Sequence, residues 1–127
     1  MSGAAEDFAG VAAVVVTYLD GLHFSDTARL RQVFHPKAQY VCATDGTLLY
    51  RDMDTYFPVV DARPSPASRG EPRRDEIVSI DFAGPVTARA VLRCSIGTRR
   101  FTDFLTLIRL EGRWQVISKV FHYKEEA

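Results

Sequence analysis

The stretch "RRFTDFLTLIRLEGRWQVISKVFHY", residues 99–123, decides the fold. It breaks at "EG" into two runs of β-favouring residues with a period of two. In the first run Phe101, Leu105 and Leu107 share one strand face with Asp103, while Phe104, Ile108 and Leu110 share the other with Thr102 and Thr106. A strand apolar on both sides is covered on both sides. Before it, "VTARAVLRCSI" (86–96) places Val86, Ala88, Ala90, Leu92, Cys94 and Ile96 on one face and Thr87, Arg89, Arg93 and Ser95 on the other. "DEIVSIDF" (75–82) precedes that, and the breaks "AGP" and "GT" are turn chemistry. The C-terminal half therefore reads as a four-strand antiparallel meander.

The N-terminal half reads as helical. Phe8, Val11, Val15, Tyr18 and Leu22 form one stripe of an amphipathic helix over 5–23. Ser25 or Asp26 caps a second helix, 26–35, with Leu30, Val33 and Phe34 on its apolar side. Pro36 disfavours helical geometry at His35, so the helix is expected to stop there, with His35 bonding its last carbonyls. "AQYVCA" (38–43), "TDG" and "TLLY" (47–50) predict a hairpin. "DMDTYFPVV" (52–60) predicts a helix capped by Asp52 and kept short by Pro58, followed by an exposed loop over 61–74. The sum is one α+β domain, 1–127, with helices on one face of a curved sheet. Two helices cannot cover both faces, so a homodimer through the outer sheet face is expected.

The chain has 127 residues, 46% hydrophobic and 25% charged, as one soluble domain requires. Its formal net charge of zero divides into −4 over residues 1–62 and +4 over 63–127. That reads as two differently charged faces, not the domain-wide basic excess of a nucleic-acid binder. Cys42 and Cys94 are too few for a disulfide framework and read as free thiols of a reducing compartment. The N-terminus lacks the basic segment of a secretory signal, and its apolar run is too short to span a bilayer. A cytoplasmic location without a membrane partner is the expectation.

The order of elements, with "YLDGLHFSDTARLRQVFHPKAQYVCATDG" (18–46) and "FTDFLTLIRLEGRWQVISKVFHY" (101–123), resembles the nuclear transport factor 2-like superfamily. Within it the chain looks most like the putative lumazine-binding branch, a relative of polyketide-cyclase-like and ketosteroid-isomerase-like proteins. The resemblance implies a cone-shaped, cystatin-like α+β roll whose helices close one end over a pocket, and usually a dimer. It implies little about reaction, since the fold hosts many. Ketosteroid isomerases use a carboxylate base, a tyrosine and a protonated aspartate. Laid on this chain, those positions fall on Cys42, on Tyr18 and near Thr106. Only the tyrosine is kept, and a cysteine is a poor base, so steroid isomerisation is not expected.

Tyr18 admits two readings, a core tyrosine or a donor at the pocket floor. Asp103, among apolar neighbours, must be paired or hydrogen-bonded; Arg89, Arg93 and Lys119 are the available cations, and the residue is either a structural ion-pair member near the dimer interface or a pocket acid. Lys119 and His122 fall on opposite faces of the last strand. The three histidines show no metal-ligand spacing, and there is no glycine-rich phosphate loop, nucleophile elbow or CxxC, so no metal or cofactor is implied. The leading expectation is a dimeric domain that binds a small, partly apolar molecule without assignable catalysis. Its candidate lining is Tyr18, Tyr40, Cys42, Asp103, Phe104, Thr106, Trp114 and His122. The alternative is an acid/base enzyme of cyclase, dehydratase or isomerase type acting on a small carbonyl compound, with Asp103 or His122 as base and Tyr18 as donor. A purely structural dimerisation module is the third class.

Overall fold

The computed structural model describes residues 3–126. Three helices, α1 (Ala4–His23), α2 (Thr27–Val33) and α3 (Met53–Ala62), pack on one side of a six-stranded sheet. Its strands are β1 (Phe34–Cys42), β2 (Leu49–Arg51), β3 (Glu76–Phe82), β4 (Thr87–Ile96), β5 (Arg99–Leu110) and β6 (Arg113–Glu125). Their order is β2-β1-β6-β5-β4-β3. The meander β3 to β6 is antiparallel as the sequence predicts, but β1 joins it parallel to β6, so the sheet is mixed. A parallel pair needs a long crossover, and α3 with the meander supplies it.

The inner sheet face carries Ala88, Ala90, Leu92, Leu105, Leu107 and Val116, all buried against Val11, Val15, Tyr18 and Leu22 of α1. Phe8, the first member of the expected stripe, lies outside this contact and is half exposed. Asp26 caps α2 by accepting from Arg29 N–H at 3.2 Å, and Asp52 caps α3 by accepting from Thr55 N–H at 2.9 Å. The α2 helix ends at Val33, earlier than expected. His35 and Pro36 lie in β1, where Lys37 N–H donates to His35 Nδ1 at 3.0 Å, so His35 does not cap the helix. Proline fits there because the β1–β6 register is broken between Phe34 and Gln39. The α3 helix runs through Pro58 to Ala62.

The segment after α3, residues 63–74, is a strap more than a free loop. Its Pro66 is fully buried. Ala67 N–H donates to the carbonyl of His23 at 3.0 Å, and Gly97 N–H donates to Glu71 Oε1 at 2.8 Å. Arg73 reaches Asp20 of α1 at 2.9 Å.

One irregularity positions the site. The β5–β6 ladder pairs Thr106 with Ser118 but Leu107 with Val116, leaving Ile117 as the extra residue of a β-bulge. Trp114 and Val116 face inward before it, and Lys119 and Phe121 face inward after it.

Candidate functional site

Two residues N-terminal to Leu105 on the inner face of β5, the core turns polar. Asp103 is fully buried, and Tyr18 of α1, also fully buried, donates its hydroxyl to Asp103 Oδ2 at 2.5 Å. The other carboxylate oxygen, Oδ1, is buried with no protein partner. Burial, reinforced by the charge of Asp103, pushes the Tyr18 phenol well above its ordinary range, so it stays a donor. The two groups sit 85 residues apart in sequence, joined because α1 lies across β5.

Lys119 comes from β6, directly across from Leu105, and is buried. Its ammonium lies over the rings of Tyr18, Tyr40, Tyr56 and Phe121, at 5.1, 5.2, 5.5 and 5.0 Å from their centroids. Four ring faces replace part of the water the cation has lost. Among the described residues no ion pair includes Lys119. Burial opposes its charge, but the acidic groups around it, Tyr56 and Asp103 foremost, outweigh burial and hold the ammonium above the usual lysine range. The ring faces and the acidic side chains packed around it keep Lys119 charged.

Asp103 and Lys119 line one small cavity with Tyr40, Tyr56, Arg63, Cys94 and Phe101. The space open to the centre of a water molecule is 20 Å³, room for about one water. Tyr40 stacks on Tyr56 with ring centroids 4.5 Å apart. The Tyr56 hydroxyl is buried without a partner, and so are Nε and Nη2 of Arg63, the first residue of the strap. Burial raises the Tyr56 phenol against the pull of Lys119. Burial and then the charge of Asp103 push the Cys94 thiol up, so Cys94 is an inert wall and not a nucleophile.

The residues proposed from sequence divide. Tyr40 and Asp103 line this cavity, and Tyr18 is joined to it through its hydrogen bond to Asp103. Asp103 faces the interior, away from the outer face, and of its three possible cations only Lys119 shares the cavity. Arg89 pairs with Asp81 and Arg93 with Glu76 on the surface. Phe104 and Thr106 lie on the opposite sheet face, Phe104 53% exposed, because strand neighbours alternate. The isomerase correspondence that placed an acid near Thr106 thus misses by three residues: Asp103 is the acid that meets Tyr18. Trp114 is buried at the far end of the interior, against Gly10 and Phe82. Cys42 is buried outside the cavity and donates to Thr44 Oγ1 at 3.3 Å. His122 is exposed and touches the same Thr44 oxygen at 2.8 Å. Placing Trp114 and His122 on one inner face assumes unbroken alternation, and the bulge at Ile117 breaks it: Lys119 goes in and His122 goes out.

The sequence does not point to Tyr56 or Arg63, and it points to Lys119 only as a partner for Asp103. The signal for Lys119 is present in the sequence. Aromatic and apolar residues sit at even positions, Trp114 and Val116, and then at odd ones, Phe121 and Tyr123. Nothing local marks Arg63, whose place depends on how the strap docks.

A curved sheet holding helices over a buried polar cluster is the architecture of the nuclear transport factor 2-like, cystatin-like α+β proteins. Within that class, residues 6–122 match the putative lumazine-binding family, and the chain belongs to it. A protein of unknown function from Shewanella baltica, described as NTF2-like, superposes with a TM-score of 0.87 at 26% identity, covering 99% of this chain and 100% of that one. An NTF-2 like protein of unknown function from Silicibacter pomeroyi superposes with a TM-score of 0.84 at 27% identity, covering 97% of this chain and 100% of that one. The aldolase FrzH of a Cladobotryum species is 24% identical over 118 residues, 91% of this chain and 90% of that protein. No helix among the described residues is long and apolar enough to cross a membrane.

Proposed function

We propose that the chain binds a small carbonyl compound in the Asp103 cavity and moves a proton on it by acid/base chemistry. One observation carries this reading: Asp103 is buried and lines the cavity, with Oδ2 held by Tyr18 and Oδ1 without a protein partner. A free oxygen on a positioned carboxylate is what a general base needs. Oδ1 takes a proton from the carbon beside the carbonyl. The electron pair of that C–H bond moves onto the carbonyl oxygen, where the Tyr56 hydroxyl and the Lys119 ammonium stabilise the developing enolate. Lys119, held protonated, acts by its charge and its N–H groups. It is not a free amine ready to condense with a carbonyl. The distant likeness to an aldolase is in keeping with chemistry through an enolate.

The cavity holds about one water in this conformation, so any organic ligand enters only if its walls move, the 63–74 strap among them. Proton transfer is read directly by dissolving small ketones and 2-oxo acids in D2O with the protein and following loss of the α-proton signal by NMR. Accelerated exchange that Asp103→Asn abolishes is the expected result. Tight binding without exchange would return the chain to a binding role without catalysis.

The expected homodimer is part of this proposal. Val91, Phe104, Val120 and Val41 are register partners in one row across β4, β5, β6 and β1 on the outer face. Phe104 and Val120 are 53% and 45% exposed. A contiguous apolar row of this kind is a self-complementary contact in a two-fold dimer. Sedimentation should give a dimer at micromolar concentration and a monomer for Phe104→Lys; a monomeric parent would end this part of the reading.

A further inference from the structure

The two cations at the cavity outnumber its one carboxylate. Arg63 and Lys119 both line it with Asp103, leaving one positive charge in excess. Asp75, whose charge also acts on Cys94, does not line the cavity and is itself held by Arg73 at 2.6 Å, so it does not restore the balance. The free donors are also of a particular kind. The orphaned nitrogens of Arg63 are Nε and Nη2, the two that form the side-on fork of a guanidinium. Their N–H bonds run parallel at the spacing of two carboxylate oxygens. Both are buried, and neither has a partner, which is costly unless a ligand or water takes the place. Lys119, 95% buried by its 5% exposure, adds a second positive donor to the same space.

We infer that Arg63 and Lys119 form a carboxylate cradle, so that the compound held beside Asp103 is a small organic anion carrying a carboxylate as well as its carbonyl group. This deepens the acid/base reading and rests on it. In the pose that follows, the Arg63 fork takes both oxygens of the carboxylate, the carbonyl oxygen lies toward Lys119 and Tyr56, and the intervening carbon faces Asp103 Oδ1. Arg63 stands where α3 gives way to the strap, so an anion bound to it ties the strap down. A carboxylate of the ligand repels Asp103 unless the two cations stand between them, which is why both are required.

The test uses acetate and acetamide, which share shape and differ in charge, titrated into the full chain while 15N–1H spectra are recorded. Acetate is expected to bind at least tenfold more tightly than acetamide, with shifts centred on the Arg63 and Lys119 side chains and the strap amides. Arg63→Gln and Lys119→Met should each weaken acetate at least tenfold, while Arg63→Lys recovers only part of the loss. Arg113→Gln, at an exposed arginine, should change nothing. Equal affinity for the two probes in the parent protein would overturn the cradle without any variant being made. The exchange assay separates the two readings. Exchange on acetone but no preference for pyruvate sinks the cradle and leaves the base in place. Acetate binding that depends on Arg63, with no exchange on any probe, keeps the cradle and removes the base.

Discussion

The two ends of the interior are made by the same layers, α1 laid over β4, β5 and β6, and they hold opposite chemistry. At one end Val11, Val15, Leu107, Trp114 and Val116 pack against one another, close enough that a Cβ on Gly10 would sit 3.1 Å from the Trp114 ring. At the other end Asp103, Lys119, Tyr56 and Arg63 line a small space and carry four unmet polar atoms, and Tyr18 holds Asp103. Leu107 and Asp103 stand on the same face of one strand, two inward positions apart. The fold draws its stability from the first end and gives some of it up at the second. A packed apolar end stabilises only the fold, whereas a buried polar end with open partners is retained for what it can bind.

The largest effect of a single substitution falls at the apolar end. Leu107→Ala should destabilise by about 4 kcal/mol, read by denaturant unfolding, because the tight end cannot collapse around the lost side chain. A loss under about 1 kcal/mol would mean the packed end is not the stabilising one.

Asp103→Asn should lose about 3 kcal/mol, since it leaves the Lys119 ammonium buried without its counter-charge. The double variant Asp103→Asn with Lys119→Met should recover most of that loss while remaining inactive in the exchange assay. If the double variant is instead the least stable of the three, the polar end serves stability and is not a site.

Tyr18→Phe is expected to have the smallest effect, about 2 kcal/mol, from one bond lost and Asp103 Oδ2 left unmet. The same hydroxyl ties the polar end to pH. Tyr18 and Lys119 both keep their protons in the folded chain above their ordinary values of 10.0 and 10.5. The folded state then binds more protons than the unfolded one, so stability is full below about pH 10 and falls as pH rises beyond it. Thermal unfolding from pH 8 to 11 should show that decline in the parent and a shallower one in Tyr18→Phe. Parallel curves would place the alkaline sensitivity elsewhere.

Much of this was legible in the residues. The alternation of 99–110 and 86–96 sets which side chains face in, and it placed Asp103, Leu105 and Leu107 together on one face, as the structure has them. The polar end was legible only through Tyr18, Tyr40 and Asp103. Lys119 was obscured by a single extra residue in β6, because one bulge reverses every later side chain relative to a strict period of two. Arg63 and Tyr56 were obscured for another reason: their positions follow from α3 and the strap docking on the sheet, a long-range event that no local pattern records. The parallel pairing of β1 with β6 was hidden likewise, since strands 34–42 and 113–125 carry no mark of each other.

That pairing has a consequence in time. The last strand in sequence, β6, is not at the sheet edge but between β1 and β5. While the chain is being synthesised, β1 and its hairpin partner have nothing to lean on until β6 emerges. The carboxylate of Asp103 likewise precedes Lys119 by 16 positions. Contacts of such long sequence separation slow the search for the native state. The nascent chain therefore exposes two unpaired strand edges, β1 and β5, until β6 has emerged, and the cavity closes only in the step that closes the sheet.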